Sequence, residues 1–234
     1  MNSIIVTGGS GGIGRAIVTS LLKTYKVYNL DKQPPPKVLD EEVFLRADLT
    51  SADNINSALF SVKKETLSGL VHCAGFGGPF VDITKVSEDL WDKIFAINIK
   101  AAYLLSKEIL PEFKKRLYGR IIVIASSQSV VGAKNSVAYS SSKHALIGFI
   151  KSLADEWGEY GITANAISPG YVETAMGIQD DKVANHRNLI LEKTPSKRTA
   201  SPEEIARVVD FLISKESGYI NGANFVVDGG ITAI

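Results

Sequence analysis

Cysteine is almost absent: one residue, Cys73, stands in a chain of 234. No intramolecular disulfide can form, so a small scaffold stapled by bridges is excluded. No apolar run reaches the length of about 18 residues that a membrane-spanning helix needs. The first seven residues read as a strand and leave no room for the charged, apolar and cleavage regions of a secretory signal, so a cytoplasmic location is expected. An excess of one charge is missing too, with 26 basic against 25 acidic side chains. Phosphate backbones are bound by clustered basic faces, whereas the Lys and Arg residues here lie scattered among acids, which argues against a nucleic-acid partner. The densest group, Lys114, Lys115 and Arg116, fits the last turn of a helix, where cations suit the helix dipole. Histidine is scarce, and with three residues, no His-x-x-x-His pair and one thiol, a zinc site lacks a ligand set. There is no internal repeat, no low-complexity tract and no linker long enough to divide the chain.

What is present suits an ordinary globular protein: 45% hydrophobic and 22% charged residues, in a chain long enough to bury a core unaided. Short β-branched or apolar runs occur at 3–6, 27–30, 43–47, 69–73, 120–125, 163–167 and 224–228. Segments with helical periodicity separate most of them, at 15–25, 87–113 and 140–157. Strand and helix in alternation predict one α/β domain over residues 1–234, with a doubly wound, parallel, seven-stranded sheet and helices on both faces. Ser201, Pro202 and Glu204 mark a helix start, as N-cap, first-turn proline and capping-box acid. Residues 176–199 follow the sixth strand without clear periodicity, and their position predicts a lid over the substrate.

The loop Thr7-Gly8-Gly9-Ser10-Gly11-Gly12-Ile13-Gly14 joins the first strand to the first helix. Two motifs fit it. Gly8, Ser10 and Gly12 spell the G-x-S-x-G of a hydrolase nucleophile elbow, which needs an earlier strand for its oxyanion hole and a late histidine. Only seven residues precede Gly8, and His72, His144 and His186 are not placed at a clear late strand end, so this reading fails. Gly9, Gly11 and Gly14 spell G-x-G-x-x-G, whose glycines let backbone N–H groups and a helix N-terminus approach a pyrophosphate. An acid should then close the second strand and hold ribose hydroxyls, and Asp31 stands there. A carboxylate at that place repels the extra phosphate of NADP, so NAD is expected, although Lys32 offers a cation to a 2′-phosphate. The chain reads as a Rossmann-type dinucleotide binder.

Moving a hydride to or from a carbonyl requires a group that exchanges the oxygen's proton. A tyrosine with a lysine one helical turn later supplies it, because the ammonium favours the phenolate. Three Tyr-x-x-x-Lys pairs occur where chance gives fewer than one: Tyr28/Lys32, Tyr103/Lys107 and Tyr139/Lys143. Tyr28 lies in a strand, where residues four apart do not stack, and Tyr103 lies inside an amphipathic helix. Tyr139 begins a helix just after the strand at 120–125, whose end offers Ser126 and Ser127 as hydroxyl donors to a substrate oxygen. Gly8, Asp31, Gly75 and Ser126 all fall just beyond strand carboxyl ends, where parallel sheets gather their ligand chemistry.

On these motifs, in this order, the chain resembles the short-chain dehydrogenase/reductase family over essentially its whole length. Thr7, Gly8, Gly12 and Gly14 match the family's T-G-x-x-x-G-x-G, and Asp48-Leu49 its adenine-contacting pair. The resemblance implies a cofactor cradle of Gly8, Ser10, Gly11, Gly12, Ile13 and Gly14, with Asp31, Asp48 and Leu49 beyond it. Cys73-Ala74-Gly75 falls where the family has N-N-A-G. Here His72 and Cys73 replace two asparagines, so the side-chain bonding that steadies the central strand is not carried over, while backbone contacts through Ala74 and Gly75 are. Asn98 matches the asparagine that helps hold a proton-relay water, and Ser126 lies at the family interval of 13 residues before Tyr139, which selects it over Ser127. Asn165-Ala166-Ile167-Ser168-Pro169-Gly170 with Thr174 resembles the sixth-strand motif, implying that Pro169, Gly170, Val172 and Thr174 contact the cofactor's nicotinamide end. The resemblance also implies a homotetramer or dimer built on helices at 101–113 and 145–157.

The expected activity is NAD-linked interconversion of a secondary alcohol and a carbonyl, with Asn98, Ser126, Tyr139 and Lys143 as the catalytic set. Gln128 and Tyr171 are the candidate substrate residues; with Lys134, Asn135 and Glu173, and Asp180, Asp181, His186 and Arg187 in the lid, they make a polar surround that suits a sugar or polyol. Two alternatives stand beside it: a 3-oxoacyl thioester reductase, and a dinucleotide-sensing protein without catalysis, which has no need of Ser126, Tyr139 and Lys143.

Overall fold

The computed structural model describes residues 1–174 and 190–233. Seven strands form one sheet: β1 (Ser3–Thr7), β2 (Lys26–Asp31), β3 (Glu42–Arg46), β4 (Leu67–His72), β5 (Gly119–Ile124), β6 (Ile162–Pro169) and β7 (Asn224–Val227). Their order is β3-β2-β1-β4-β5-β6-β7, with every pair parallel. Each strand expected from the sequence is present within a residue or two. In β1, β4, β5 and β6 every residue is buried, as a parallel sheet covered on both faces requires.

The helices are α1 (Gly12–Leu21), α2 (Ala52–Phe60), α3 (Glu88–Phe95), α4 (Ala101–Arg116), α5 (Val137–Trp157) and α6 (Pro202–Ile213). Alternate strand residues point to opposite faces, and two cores result. Ile4 and Val6 pack with Ile17 and Val18 of α1 and Val209 and Leu212 of α6. On the other face Ile5 and Leu70 pack with Leu105 and Ile109 of α4 and Leu146 and Ile150 of α5. At the start of α6, the Glu204 carboxylate accepts from the Ser201 N–H at 2.9 Å, the capping-box bond expected from the sequence.

Two local features were not anticipated. Helix α2 has a polar sequence but carries Ile55, Ala58 and Leu59 inward, and its N-cap Ser51 accepts from the Asn54 N–H at 3.3 Å. The single long helix expected over 87–113 is broken into α3 and α4 by a π-helical turn at Ala96–Lys100. One residue more than an α-turn is accommodated there, and such bulges concentrate at functional sites.

The order of the sheet reverses at β1. From β1 the chain crosses to β2 on one side, whereas β4 occupies the other, with Thr7 opposite His72 in register. A crevice opens outside the carboxyl ends of such a strand pair, and the glycine loop begins there.

A buried ion pair holds α1 to the far half of the sheet. The Glu42 side chain is fully buried and accepts from both Arg15 nitrogens, at 2.7 and 3.0 Å, as well as from Asn29 Nδ2 and the Leu39 N–H. Removing one partner of such a pair strands the other charge. Glu42→Ala is therefore expected to lower unfolding free energy by about 3 kcal/mol or more, which urea denaturation would measure; a change under about 1 kcal/mol, the range of exposed pairs, would show that the pair contributes nothing beyond solvation.

Candidate active site

The glycine loop turns tightly because no side chain fits inside it. Gly8 has φ of +70°, and a Cβ there would lie 2.8 Å from the Ala74 Cα. A Cβ on Gly14 would overlap the Gly8 carbonyl oxygen, so the first turn of α1 folds directly against the loop. A Cβ on Gly11 would meet nothing within 4 Å, leaving that side of the loop open. Ser10 and Gly12 flank this opening, Ile13 packs into the core beneath it, and the N-terminus of α1 begins there, a cradle that can hold a pyrophosphate.

Asp31 stands at the end of β2, as expected. Its Oδ2 accepts from the Ser10 N–H at 3.1 Å and its Oδ1 from the Gln33 N–H at 3.1 Å, so the acid is fixed beside the loop. Lys32 is not free toward the crevice, because it donates to Asp48 Oδ2 at 3.0 Å. Asp48 also accepts from the Thr50 hydroxyl and N–H, and these bonds, with Lys32, hold its carboxyl at about 2. Leu49 next to it is buried in the core.

Ala74 and Gly75 follow β4. A Cβ on Gly75 would lie 3.4 Å from Lys143 Nζ and 3.7 Å from Asn98 Oδ1, so three separated sequence motifs converge at this glycine. Asn98 sits on the π-turn, fully buried; its Oδ1 accepts from the Phe76 N–H at 2.8 Å, and its Nδ2 donates to the Phe76 carbonyl and to Ser142 Oγ at 3.1 and 2.9 Å. Ser142 in turn donates to the Tyr139 carbonyl at 2.7 Å. Ser142 had not been singled out from the sequence; its signal is its place one turn after Tyr139 on the face that meets Asn98.

Ser126 follows β5 and accepts from the Gln128 N–H at 3.1 Å, and its hydroxyl lies close enough to Tyr139 to act on the phenol. Lys143 is 3% exposed, with Nζ 5.6 Å from the centre of the Tyr139 ring. The sequence led us to expect that Lys143 lowers the tyrosine's pKa. Instead, burial lifts the Tyr139 phenol above its ordinary value, and the Ser126 hydrogen bond offsets only part of that. The ammonium is directed elsewhere, donating to the Ile124 carbonyl at 2.7 Å, and burial depresses its own pKa to about 8. The other two Tyr-x-x-x-Lys pairs lie apart from this cluster: the Tyr28 hydroxyl accepts from the Lys63 N–H and Tyr103 faces outward on α4.

Gln128 shares the Ser126 turn, and its Oε1 accepts from the hydroxyls of Ser136 and Ser140 at 2.7 and 2.8 Å. Pro169 ends β6, and the Gly170 N–H donates to the Val227 carbonyl at 3.0 Å. Thr174 reaches the glycine loop, its Cγ2 lying 3.2 Å from where a Gly12 Cβ would be. Val172 pairs with Ala200 in an isolated parallel bridge, supported by bonds from the Glu173 N–H to the Ala200 carbonyl and from the Ala200 N–H to the Tyr171 carbonyl, with the Thr199 hydroxyl on Glu173. Of the expected lid, residues 176–189 lie outside the described residues, among them Asp180, Asp181, His186 and Arg187.

A family model described as enoyl-(acyl carrier protein) reductase matches residues 11–232. The acetoacetyl-CoA reductase of Allochromatium vinosum is 33% identical over 242 residues, with 97% of each chain covered. Among solved structures, 4-hydroxyisoleucine dehydrogenase complexed with NADH superposes with a TM-score of 0.91 at 28% identity, over the whole of both chains. A putative 2-deoxy-d-gluconate 3-dehydrogenase from Agrobacterium tumefaciens with bound NADP gives 0.91 at 30%, covering 100% of this chain and 97% of that one.

Two expected outcomes follow from the geometry. Gly14→Ala forces the loop off the helix and should weaken NADH binding at least about tenfold by fluorescence titration, a loss of about 1.4 kcal/mol; unchanged affinity would show that the loop does not hold the dinucleotide. Lys143 is the second case. Its pKa is lower folded than unfolded, so the unfolded chain binds more protons between about pH 8 and 10.5, and stability rises with pH through that window. Below pH 8 the buried ammonium costs about 3 kcal/mol, so Lys143→Met should keep or raise the melting temperature at pH 7 while removing turnover. A large drop in melting temperature would make the lysine a structural residue.

Proposed function

Because this chain belongs to the short-chain dehydrogenase/reductase family, we propose that it interconverts a secondary alcohol and a carbonyl with NAD(H), on a small polar substrate such as a sugar or polyol. The oxidoreductase class and a nicotinamide dinucleotide follow from the family; the roles of individual residues, the preference for NAD and the substrate class are our reading. The observation that carries it is the convergence of Lys143 and Asn98 on Gly75 at the carboxyl end of β4, with the Tyr139 ring 5.6 Å from Lys143 Nζ and Ser126, at the end of β5, beside Tyr139.

When bound, the dinucleotide supplies the hydride acceptor or donor. The chain supplies the rest. Ser126 holds the reacting oxygen beside the Tyr139 phenol, which gives that oxygen its proton in reduction and takes it in oxidation. Burial keeps the resting phenol protonated, so oxidation requires its proton to be drawn off. Lys143, its ammonium held by the Ile124 carbonyl, would bind the ribose of the dinucleotide, and the Asn98 side chain, locked between Phe76 and Ser142, steadies the path by which the proton reaches solvent.

Asp31 supports NAD, since its carboxylate sits where a 2′-phosphate would be repelled, and Lys32 is already engaged by Asp48. Gln128 and Tyr171 support a polar substrate, and one similar structure is that of a putative 2-deoxy-d-gluconate 3-dehydrogenase. A second reading, reduction of a 3-oxoacyl thioester, is favoured by the relative named acetoacetyl-CoA reductase and by a phenol held in its proton-donating form. As elsewhere in the family, we take the active species to be a dimer or tetramer built on α4 and α5.

The deciding experiment follows nicotinamide absorbance with NAD or NADP against sugars, polyols, hydroxy acids and acetoacetyl-CoA. NAD-linked oxidation of a polyol or sugar supports the first reading, and NADPH-linked reduction of the thioester replaces it with the second. Tyr139→Phe should lower kcat about a thousandfold and leave the NADH dissociation constant within about threefold of wild type; turnover at the wild-type rate would remove Tyr139 from the mechanism.

A further inference from the structure

His72 ends β4, at the sheet's point of reversal, and is completely buried. Its Nδ1 lies 3.0 Å from Thr7 Oγ1 and its Nε2 lies 3.2 Å from the Asn98 carbonyl oxygen. Thr7 Oγ1 also accepts from the Ala74 N–H at 3.1 Å. These partners fix every proton. A carbonyl only accepts, so Nε2 carries the hydrogen and donates to Asn98. A neutral ring then has Nδ1 as acceptor, which makes Thr7 the donor to it. The chain runs Ala74 N–H to Thr7 Oγ1, Thr7 O–H to His72 Nδ1, and His72 Nε2–H to the Asn98 carbonyl. Burial above all, and the nearby Lys143 ammonium, keep the imidazole neutral, with a pKa near 4 instead of 6.5.

The two ends of this chain serve different parts of the site. Thr7 is the last residue before the glycine loop, and the Ala74 it holds packs against Gly8. Asn98 lies in the π-turn, where the i→i+5 pattern disturbs the helical ladder and leaves carbonyls to be satisfied by other donors. One side chain therefore spans from the dinucleotide cradle to the turn that carries Asn98. Its two nitrogens do separate jobs: the acceptor sets Thr7, and the donor sets the turn.

We propose that His72 is a positioning residue of two separable halves, its Nδ1 aligning the cofactor loop through Thr7 and its Nε2–H holding the π-turn that presents Asn98. It touches neither substrate nor cofactor. The part concerning Asn98 rests on the catalytic reading above; the part concerning the ring's tautomer does not.

The halves can be removed one at a time. Asparagine places its amide oxygen near the Nδ1 position, so His72→Asn keeps the acceptor for Thr7 and loses the donor to Asn98. Glutamine reaches to the Nε2 position, so His72→Gln keeps the donor and loses the acceptor. With NADH as the probe, quenching of tryptophan fluorescence should give His72→Asn a dissociation constant within about twofold of wild type and His72→Gln one raised about tenfold. At saturating cofactor, with whichever substrate the panel identifies, kcat should fall about tenfold in His72→Asn and much less in His72→Gln. Equal losses of affinity and kcat in both variants, in step with their melting temperatures, would make His72 a packing residue and overturn the proposal.

Long-range nitrogen–proton NMR on the wild-type protein reads the ring directly. The three histidines are few enough to assign by comparison with His72→Asn, and His72 should show the Nε2–H tautomer without change from pH 5.5 to 8. The opposite tautomer, or a ring that titrates in that range, overturns the proposal whatever the enzyme's substrate is. A wild-type protein inactive on every substrate would count against the catalytic reading alone, leaving the tautomer and the NADH arm to decide on His72.

Discussion

Two neighbouring parallel strands whose chains depart to opposite sides cannot both be covered at their carboxyl ends. β1 and β4 are such a pair, and most of what distinguishes this molecule is arranged around the gap they leave. The loop leaving β1 must fold back at once onto the first turn of α1, which is why Gly14 has no room for a Cβ. The segment leaving β4 must pass the same gap, which brings Ala74 against Gly8 and Gly75 toward Lys143 and Asn98. Neither the cradle nor the tyrosine cluster is built by one element alone.

The gap holds buried polar groups, and the sheet accepts a cost for that. Lys143 is buried with one backbone carbonyl as its hydrogen-bond partner and no carboxylate beside it among the described residues. Desolvating an ammonium is unfavourable unless a charge partner compensates, and the depressed pKa is the measure of that strain. A fold optimised for stability would not hold a lysine there. The two hydrophobic layers on either side of the sheet, with Ile4, Val6, Ile5 and Leu70 fully buried, absorb the expense.

Much of this was legible in the sequence. The seven strands could be read because residues buried on both faces appear as unbroken β-branched runs, as in Ile121, Ile122 and Val123. The order of the motifs, from the glycine loop through Asp31 and Ser126 to Tyr139 and Lys143, was readable along the chain, and the structure sets those residues at the carboxyl ends of the strands. Other features left less trace. α2 escaped because its apolar stripe is only three residues wide in a polar segment. A π-turn adds one residue to a helix, and its neighbours keep a helical periodicity, so α3 and α4 read as one. The partner of Lys143 is a backbone carbonyl, which any residue type at position 124 would provide, so the lysine's orientation could not be inferred. The His72 and Cys73 substitutions were visible as departures, but the bonds that compensate for the lost asparagine depend on distances across three elements.

The bridge between Val172 and Ala200 fastens the chain on both sides of one excursion, where it leaves β6 and where it returns toward α6. On the returning side the anchor is reinforced by buried Thr194 and by the Ser196 N–H on the Gly229 carbonyl, so the chain entering α6 is held at more than one point. The bridge ties the end of β6, where Thr174 lies against the glycine loop, to the segment that enters α6, so strain introduced at Ala200 would be passed on to the cradle.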